Sequence, residues 1–372
     1  MKALARFDAW VLRGPFTPRD LGRFRIVFCL LLVLLVPQLD WLAPYPNSFY
    51  EPPWGPFALL SGFPSAPVLT VVEIVVFLSL AATLLGLFTT ASSIALTLSL
   101  VVDFGLNFSV GKVDHSMVMV MVPAVLAFAR WGDTCSLDAI RRRRRGLDPV
   151  DADTARARLQ WPMRFLGLAI GLAFVSAAAP KVLGGWLSLS SQASYGYQVR
   201  SDVLSGRSSL LSSFLVDLHV PAVWEALDWA TVALEAGVVL CLVTWRSWRI
   251  GLAVLALFHV GIGLSLGIWF ASNVMAYGAF VAWGRWALPS VTLSERTRRT
   301  VSRAAIPLTV GVGLLLWWVS GLISPAIETF RMLIVLAGAA VALVYLLAQV
   351  RGLLTRRRGR VPETLHSTSP AG

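Results

Sequence analysis

The sequence predicts an all-α integral membrane protein of about ten transmembrane helices, built as two parallel four-helix repeats followed by two added helices. Three observations predict it: an apolar composition, recurrent apolar runs of spanning length, and basic residues gathered between alternate runs. Of 372 residues, 56% are hydrophobic and only 14% charged, and the mean hydropathy of +0.71 exceeds what a water-soluble domain carries on its surface. In a soluble domain the net charge of +12 would suggest nucleic acid. Here the basic residues form short blocks between apolar segments, which is a topology signal, so the bilayer and not a nucleic acid is the expected partner.

Residues 1–20 read as an amphipathic helix on the cytoplasmic surface, with Phe7, Trp10, Val11 and Leu12 beside Arg6 and Arg13. No short apolar core with a small-residue cleavage site precedes residue 20, so a cleaved signal peptide is not expected. A span needs about 17 to 25 mostly apolar residues. Such runs lie near 21–40, 67–88, 91–109, 115–131 and 162–184, then 222–245, 249–270, 272–288, 304–324 and 329–350. They divide the chain into a first four-helix repeat (21–131), a basic loop (132–161), a second repeat (162–288), two added helices (289–350) and a basic tail (351–372). Cys29, Cys135 and Cys241 fall in two spans and one cytoplasmic loop with no CxxC spacing, which predicts neither a disulfide nor a structural zinc site.

If the first span runs outward, alternation puts both termini and the loops near 89, 132–161, 246–249 and 285–303 on the cytoplasmic side of the cell membrane. Of the 32 lysines and arginines, 27 then lie on that side, leaving Lys112, Lys181, Arg200, Arg207 and Arg331 outside. That is the positive-inside bias. The run Arg141 to Arg145 reads as a topology anchor, with anionic-lipid binding as the alternative.

The segments Glu73 to Trp131 and Glu235 to Trp283 share an order of features: an intramembrane glutamate, a second span, and a third ending "VMVMVPAVLAFARWGD" or "ASNVMAYGAFVAWGRW". A helix opening Arg23-Phe24 precedes the first and one opening Arg164-Phe165 the second. An even number of helices per unit makes the copies parallel.

Ionisable groups within spans are costly, and so mark candidate sites. Asp103 and Asn107 lie near the outer end of span 3, Lys112, Asp114 and His115 at the outer start of span 4, and Lys181 at the outer end of span 5. Glu225 and Asp228 open span 6 and Asn273 opens span 8, while Glu73, Glu235 and His259 lie deeper. The inner halves are almost wholly apolar. This distribution predicts an outward-facing polar cavity, roofed by "WLAPYPNSFYEPPWGPF" and the loop 188–217. Packing is the competing role for Glu73, Glu235 and His259, and snorkelling to the interface for Lys181. No span carries the arginine ladder of a voltage sensor, and none shows the broken Gly/Pro helix pairs expected of a transporter, so transport is disfavoured.

The stretch "GKVDHSMVMVMVPAVLAFARWGDTCSLDA", followed by "AAAPKVLGGWL" and a histidine-bearing helix, resembles the horizontally transferred transmembrane domain (HTTM) family. That family includes the membrane domain of vitamin K-dependent γ-carboxylase and is similar to DoxX-like four-helix proteins. The likeness spans about residues 15 to 290, with Asp114-His115-Ser116, Ser136-Leu137-Asp138 and Lys181 as its strongest words. It implies Lys181 as a general base toward a quinone or hydroquinone, with His115 supporting the reaction and Asp114 orienting it. A lysine desolvated at a helix end would suit that role. The carboxylase has a large extramembrane domain after its membrane part, whereas this sequence reaches a charged tail soon after span 10, which points away from carboxylation of a protein. Other bacterial relatives, in toxin-peptide operons or DoxX-like complexes, imply the alternative of a non-catalytic accessory protein.

Overall fold

The computed structural model describes residues 2–53, 55–147, 152–204, 209–286 and 294–358. Arg207 and the part of the basic tail beyond 358 lie outside them. The described residues contain no strand, only an isolated bridge between Glu51 and Val110. Six helical segments among them are long and apolar enough to cross a membrane: 66–85, 89–107, 158–183, 221–243, 245–266 and 305–355. Leu98, Leu172, Leu315, Trp318 and Val344 project outward from these segments, as expected where the solvent is lipid. The protein is therefore an all-helical membrane protein.

Helix α1 (Lys2–Leu12) packs against the later helix that begins at Ala152. Next comes α2 (Pro18–Val33), opened by Pro18 and by a reciprocal cap: Thr17 Oγ1 accepts from the Asp20 amide at 3.2 Å, and Asp20 accepts from the Thr17 amide at 2.9 Å. α3 (Ala66–Leu85) and α4 (Thr89–Asn107) form a hairpin whose turn depends on Gly86. At φ +67 this residue adopts the left-handed region, and a Cβ there would collide with the Arg25 guanidinium and Ser136. Arg25 is fully buried and donates to the Thr83 carbonyl at 3.1 Å and the Cys135 carbonyl at 2.5 Å, tying α2 to the end of α3.

α5 (Val118–Leu126) sits between 3-10 turns at His115–Met117 and Ala127–Ala129 and contains Pro123, which lacks the amide a regular turn would use. α6 (Leu137–Arg144) carries the arginine run, and α7 (Ala152–Leu183) is the long central helix. α8 (Ala193–Val199) and α9 (Ser212–Val216) form a cap over the ends of α10 (Pro221–Gly237) and α11 (Trp245–Leu266). In that cap Gln198 and Ser209 donate to the Ser265 carbonyl, and the Leu211 amide to Leu264.

All seven residues of α12 (Ala271–Tyr277) are buried, packed against α5 and the last helix. α13 (Glu295–Arg303) contacts α6. α14 (Ala305–Ile323) and α15 (Ile327–Arg358) follow, the first on α3 and the second on α11 and α12. These two form a hairpin: Ala305 clusters with Leu87 and Leu137, while Gln349 accepts from Arg246, so both distal ends return to the arginine-bearing end of the bundle.

Three sequence-expected spans take shorter forms. The run 21–40 becomes the 16-residue α2, the run 115–131 the 9-residue α5 between its 3-10 turns, and the run 272–288 the 7-residue α12 with 3-10 turns after it. Most of their apolar side chains are buried in the core, although Leu30 of α2 is half-exposed.

Candidate functional site

Lys181 lies in the last turn of α7, after Pro180. The helix ends there because Gly185, at φ +82, reverses the chain, letting the Trp186 amide donate to the Lys181 carbonyl at 3.1 Å. This leaves the Lys181 side chain beside α10. Its Nζ donates to Glu235 Oε2 at 2.5 Å and to the Ala177 carbonyl at 3.3 Å, and lies 5.5 Å from the Trp186 ring centre. The lysine side chain is 23% exposed and that of Glu235 10%, so the pair is shielded but not sealed. In such surroundings each charge compensates the other's loss of hydration.

Beside this pair stands an aromatic cluster. Tyr277 is within electrostatic range of Glu235 and interacts with Asn273. Its hydroxyl is 2.9 Å from His259 Nε2. The His259 ring stacks on Phe270 at 4.8 Å and on Phe174 at 6.0 Å, and Nδ1 is buried without a hydrogen-bond partner among the described residues. On the other face of the cluster, the half-buried His115 ring lies 4.3 Å from Phe270. The Lys181–Glu235 pair thus reaches the cluster of Tyr277, Asn273, His259 and His115 through the electrostatic influence of Glu235 on Tyr277, and no hydrogen bond joins Lys181 to His115 or Asp114. Asp114 instead accepts from the Ser116 amide at 2.7 Å, capping the turn that carries His115. Lys112 is exposed beside that turn.

The remaining candidates fall into two other groups. Glu73 accepts from the Leu39 amide at 2.6 Å and from Trp317 Nε1 at 3.0 Å, fixing the segment after α2, and α14, to α3. Asp103 is fully buried within electrostatic range of Glu73, with both carboxylate oxygens unpartnered among the described residues. Asn107, half-buried, closes α4. Glu225 accepts from the Gln192 amide at 3.1 Å, and Asp228 from the amides of Ala193 and Ser194, both at 2.7 Å, and from the Ser194 hydroxyl. Those two carboxylates thus cap α8, where an amide-rich helix start attracts negative charge.

Sequence reasoning missed Tyr277, Phe270 and Trp317. Tyr277 was signalled by its position four residues after Asn273, one helical turn along the same face. Trp317 had no local signal, because its partner is 244 residues away.

Chemically, the first group combines an amine–carboxylate ion pair, a tyrosine–histidine hydrogen bond, and flat aromatic faces. Among the described residues no group of three or more histidine, cysteine, aspartate or glutamate side chains could hold a metal ion. A family model described as "HTTM domain" matches residues 14–275, more than half of the chain. No curated protein and no solved structure matches it.

Proposed function

The chain belongs to the HTTM-domain family, and from that premise we propose a membrane enzyme acting on a quinone or another isoprenoid-like lipid, with chemistry of the γ-carboxylase and epoxidase kind. The observation that carries this reading is the Lys181–Glu235 pair set against the Tyr277–His259–Phe270–His115 cluster. A planar quinone ring suits that cluster, since aromatic faces favour stacked or edge contacts and a histidine or amine can bond a ring oxygen. When bound, a hydroquinone would supply a phenolic proton and reducing electrons. Lys181 Nζ would accept such a proton only when its own proton rests on Glu235 Oε2, so the two act as one acid–base unit. His115 and Asp114 would assist from the neighbouring turn, and Asn273 would orient Tyr277.

The same reading takes the site to face outward. In it the chain makes about ten crossings of the cytoplasmic membrane as two parallel four-helix repeats and two added helices, with both termini cytoplasmic. Two parallels between the halves support the repeat. Glu73 holds the chain just after α2 through the Leu39 amide, as Glu235 holds the end of α7 through Lys181. Arg25 of α2 donates to a carbonyl near the end of α3, as Arg164 of α7 donates to the Leu242 carbonyl beyond α10.

The test is native mass spectrometry of the detergent-extracted protein for a co-purified quinone, paired with Lys181→Met. The enzymatic reading requires a bound redox lipid, and loss of its turnover in a variant that still inserts normally. A second reading, a non-catalytic accessory protein for secreted-peptide maturation or a DoxX-like complex, is favoured by the engagement of Glu73, Glu225 and Asp228 in contacts between elements. It predicts little change from Lys181→Met.

A further inference from the structure

At the end of the bundle opposite Lys181, three cavities meet at the same two side chains, Arg249 and Arg285. One is an apolar groove of about 530 Å³ between α2, α11, α12 and α15, walled by residues such as Leu31, Leu252, Val274, Leu333 and Val341. Another is a cleft of about 890 Å³ lined by six arginines: Arg6, Arg13, Arg164, Arg246, Arg249 and Arg285. No acidic side chain lines this cleft, and none of the six arginines is in an ion pair among the described residues. The third cavity, about 490 Å³, does include Asp20, but that carboxylate is already occupied by the Thr17 and Gly284 amides.

The arginines are held ready by neutral partners. Arg164 donates to the Leu242 carbonyl, its guanidinium 4.3 Å from the Trp10 ring centre and 3.9 Å from that of Trp245. Arg249 donates through Nε to the Phe280 carbonyl at 2.8 Å and lies over Phe16, which leaves both Nη groups without a hydrogen-bond partner among the described residues. Arg246 donates to Gln349, and Arg285 is exposed at the mouth. Asp20, within electrostatic range of Arg249, offsets one of these charges; the remaining excess favours an anion, and a planar guanidinium fork matches a phosphate. A soluble anion would satisfy the cleft but not the groove. An amphiphile satisfies both, and Leu333 and Val341 are exposed at the groove, where bilayer acyl chains would meet it.

We propose that groove and cleft form a single binding site for an anionic phospholipid, with its phosphate on Arg249 and Arg285 and an acyl chain along the groove between α11 and α15. Basic pockets between membrane helices bind acidic headgroups by this combination of charge and apolar wall. The groove also reaches Tyr277, whose hydroxyl bonds His259, so an occupied groove would press on the aromatic cluster from its opposite side. The proposal does not depend on any activity of that cluster.

The experiment is native mass spectrometry of the delipidated full chain in detergent, titrated separately with phosphatidylglycerol, phosphatidylcholine and inorganic phosphate. Phosphatidylglycerol should bind about tenfold or more tightly than phosphatidylcholine, with the preference shrinking as salt rises. The exposed double variant Arg246→Gln/Arg285→Gln should reduce that preference severalfold, and Arg249→Gln should remove most of it. Val341→Trp, which fills the groove and leaves the arginines intact, should weaken both lipids. A thermal transition matching the parent shows that each variant is folded, and the two surface variants stand if Arg249→Gln does not fold. Equal binding of the two lipids would overturn the site. So would retention of the preference in the double variant, or inorganic phosphate displacing phosphatidylglycerol with Val341→Trp having no effect, which would make it a soluble-anion site.

Discussion

Glu235 Oε2 lies 2.5 Å from Lys181 Nζ, so the lysine that stands out in the sequence is half of an ion pair joining α7 to α10. Removing one partner leaves the other charge uncompensated in a shielded place. Lys181→Met or Glu235→Gln alone should cost about 2–3 kcal/mol, between the exposed and fully buried limits, and the double variant should recover much of it. A double-mutant cycle on thermal unfolding in detergent measures this coupling. Strictly additive losses would remove the pair from the account.

The Glu73 carboxylate serves two donors at once, the Leu39 amide and Trp317 Nε1. Glu73→Leu leaves the buried Leu39 amide and the partly buried Trp317 Nε1 unpaired, a loss of about 2–4 kcal/mol, whereas Trp317→Phe loses one bond and should cost about 1 kcal/mol plus lost packing. Denaturation midpoints in a fixed detergent rank the two. Equal midpoints for both variants would show that the carboxylate is solvated.

Asp228 caps α8 with two amide bonds and a hydroxyl bond. Asp228→Ala should raise amide hydrogen exchange across residues 192–199 before it affects the bundle, at a local cost of about 1–2 kcal/mol. Asp228→Asn, which keeps an acceptor, should lie between. Unchanged exchange at those amides in the Ala variant counts against the cap.

The cysteines report orientation without any added label site. Cys135 is exposed, Cys241 half-buried and Cys29 buried. A membrane-impermeant thiol reagent should therefore modify Cys135 first, and only after the cytoplasmic side is opened to it. Labelling of Cys135 in intact cells would invert the proposed orientation and turn the Lys181 end toward the cytoplasm.

The apolar runs at 67–88, 91–109, 162–184, 222–245 and 249–270 correspond to helices at 66–85, 89–107, 158–183, 221–243 and 245–266, because spanning length is a local property of the chain. α2, α5 and α12 were less legible. A short apolar run fits a buried core helix as well as a span, and only tertiary packing distinguishes them. The candidate residues were legible by type and depth, but their partners were not. Lys181 and Glu235 are 54 residues apart, and nothing near Asp228 in the sequence points to the α8 amides 34 and 35 residues before it. Glu225 and Asp228, read as lining a chamber, also hold the start of α8, since an unpaired amide in a dry setting attracts the same charge that a ligand would.

The α14–α15 hairpin lies wholly beyond the stretch shared with the family, which stops at 275. Yet Trp317 reaches back to Glu73, and Arg331 and Glu328 stand within electrostatic range of His115. The matched stretch is thus completed here by contacts from residues beyond it. A chimaera that transplants the shared stretch alone into another member would arrive with its glutamate unmet and its histidine in foreign company, so exchanges between relatives must carry the hairpin as cargo.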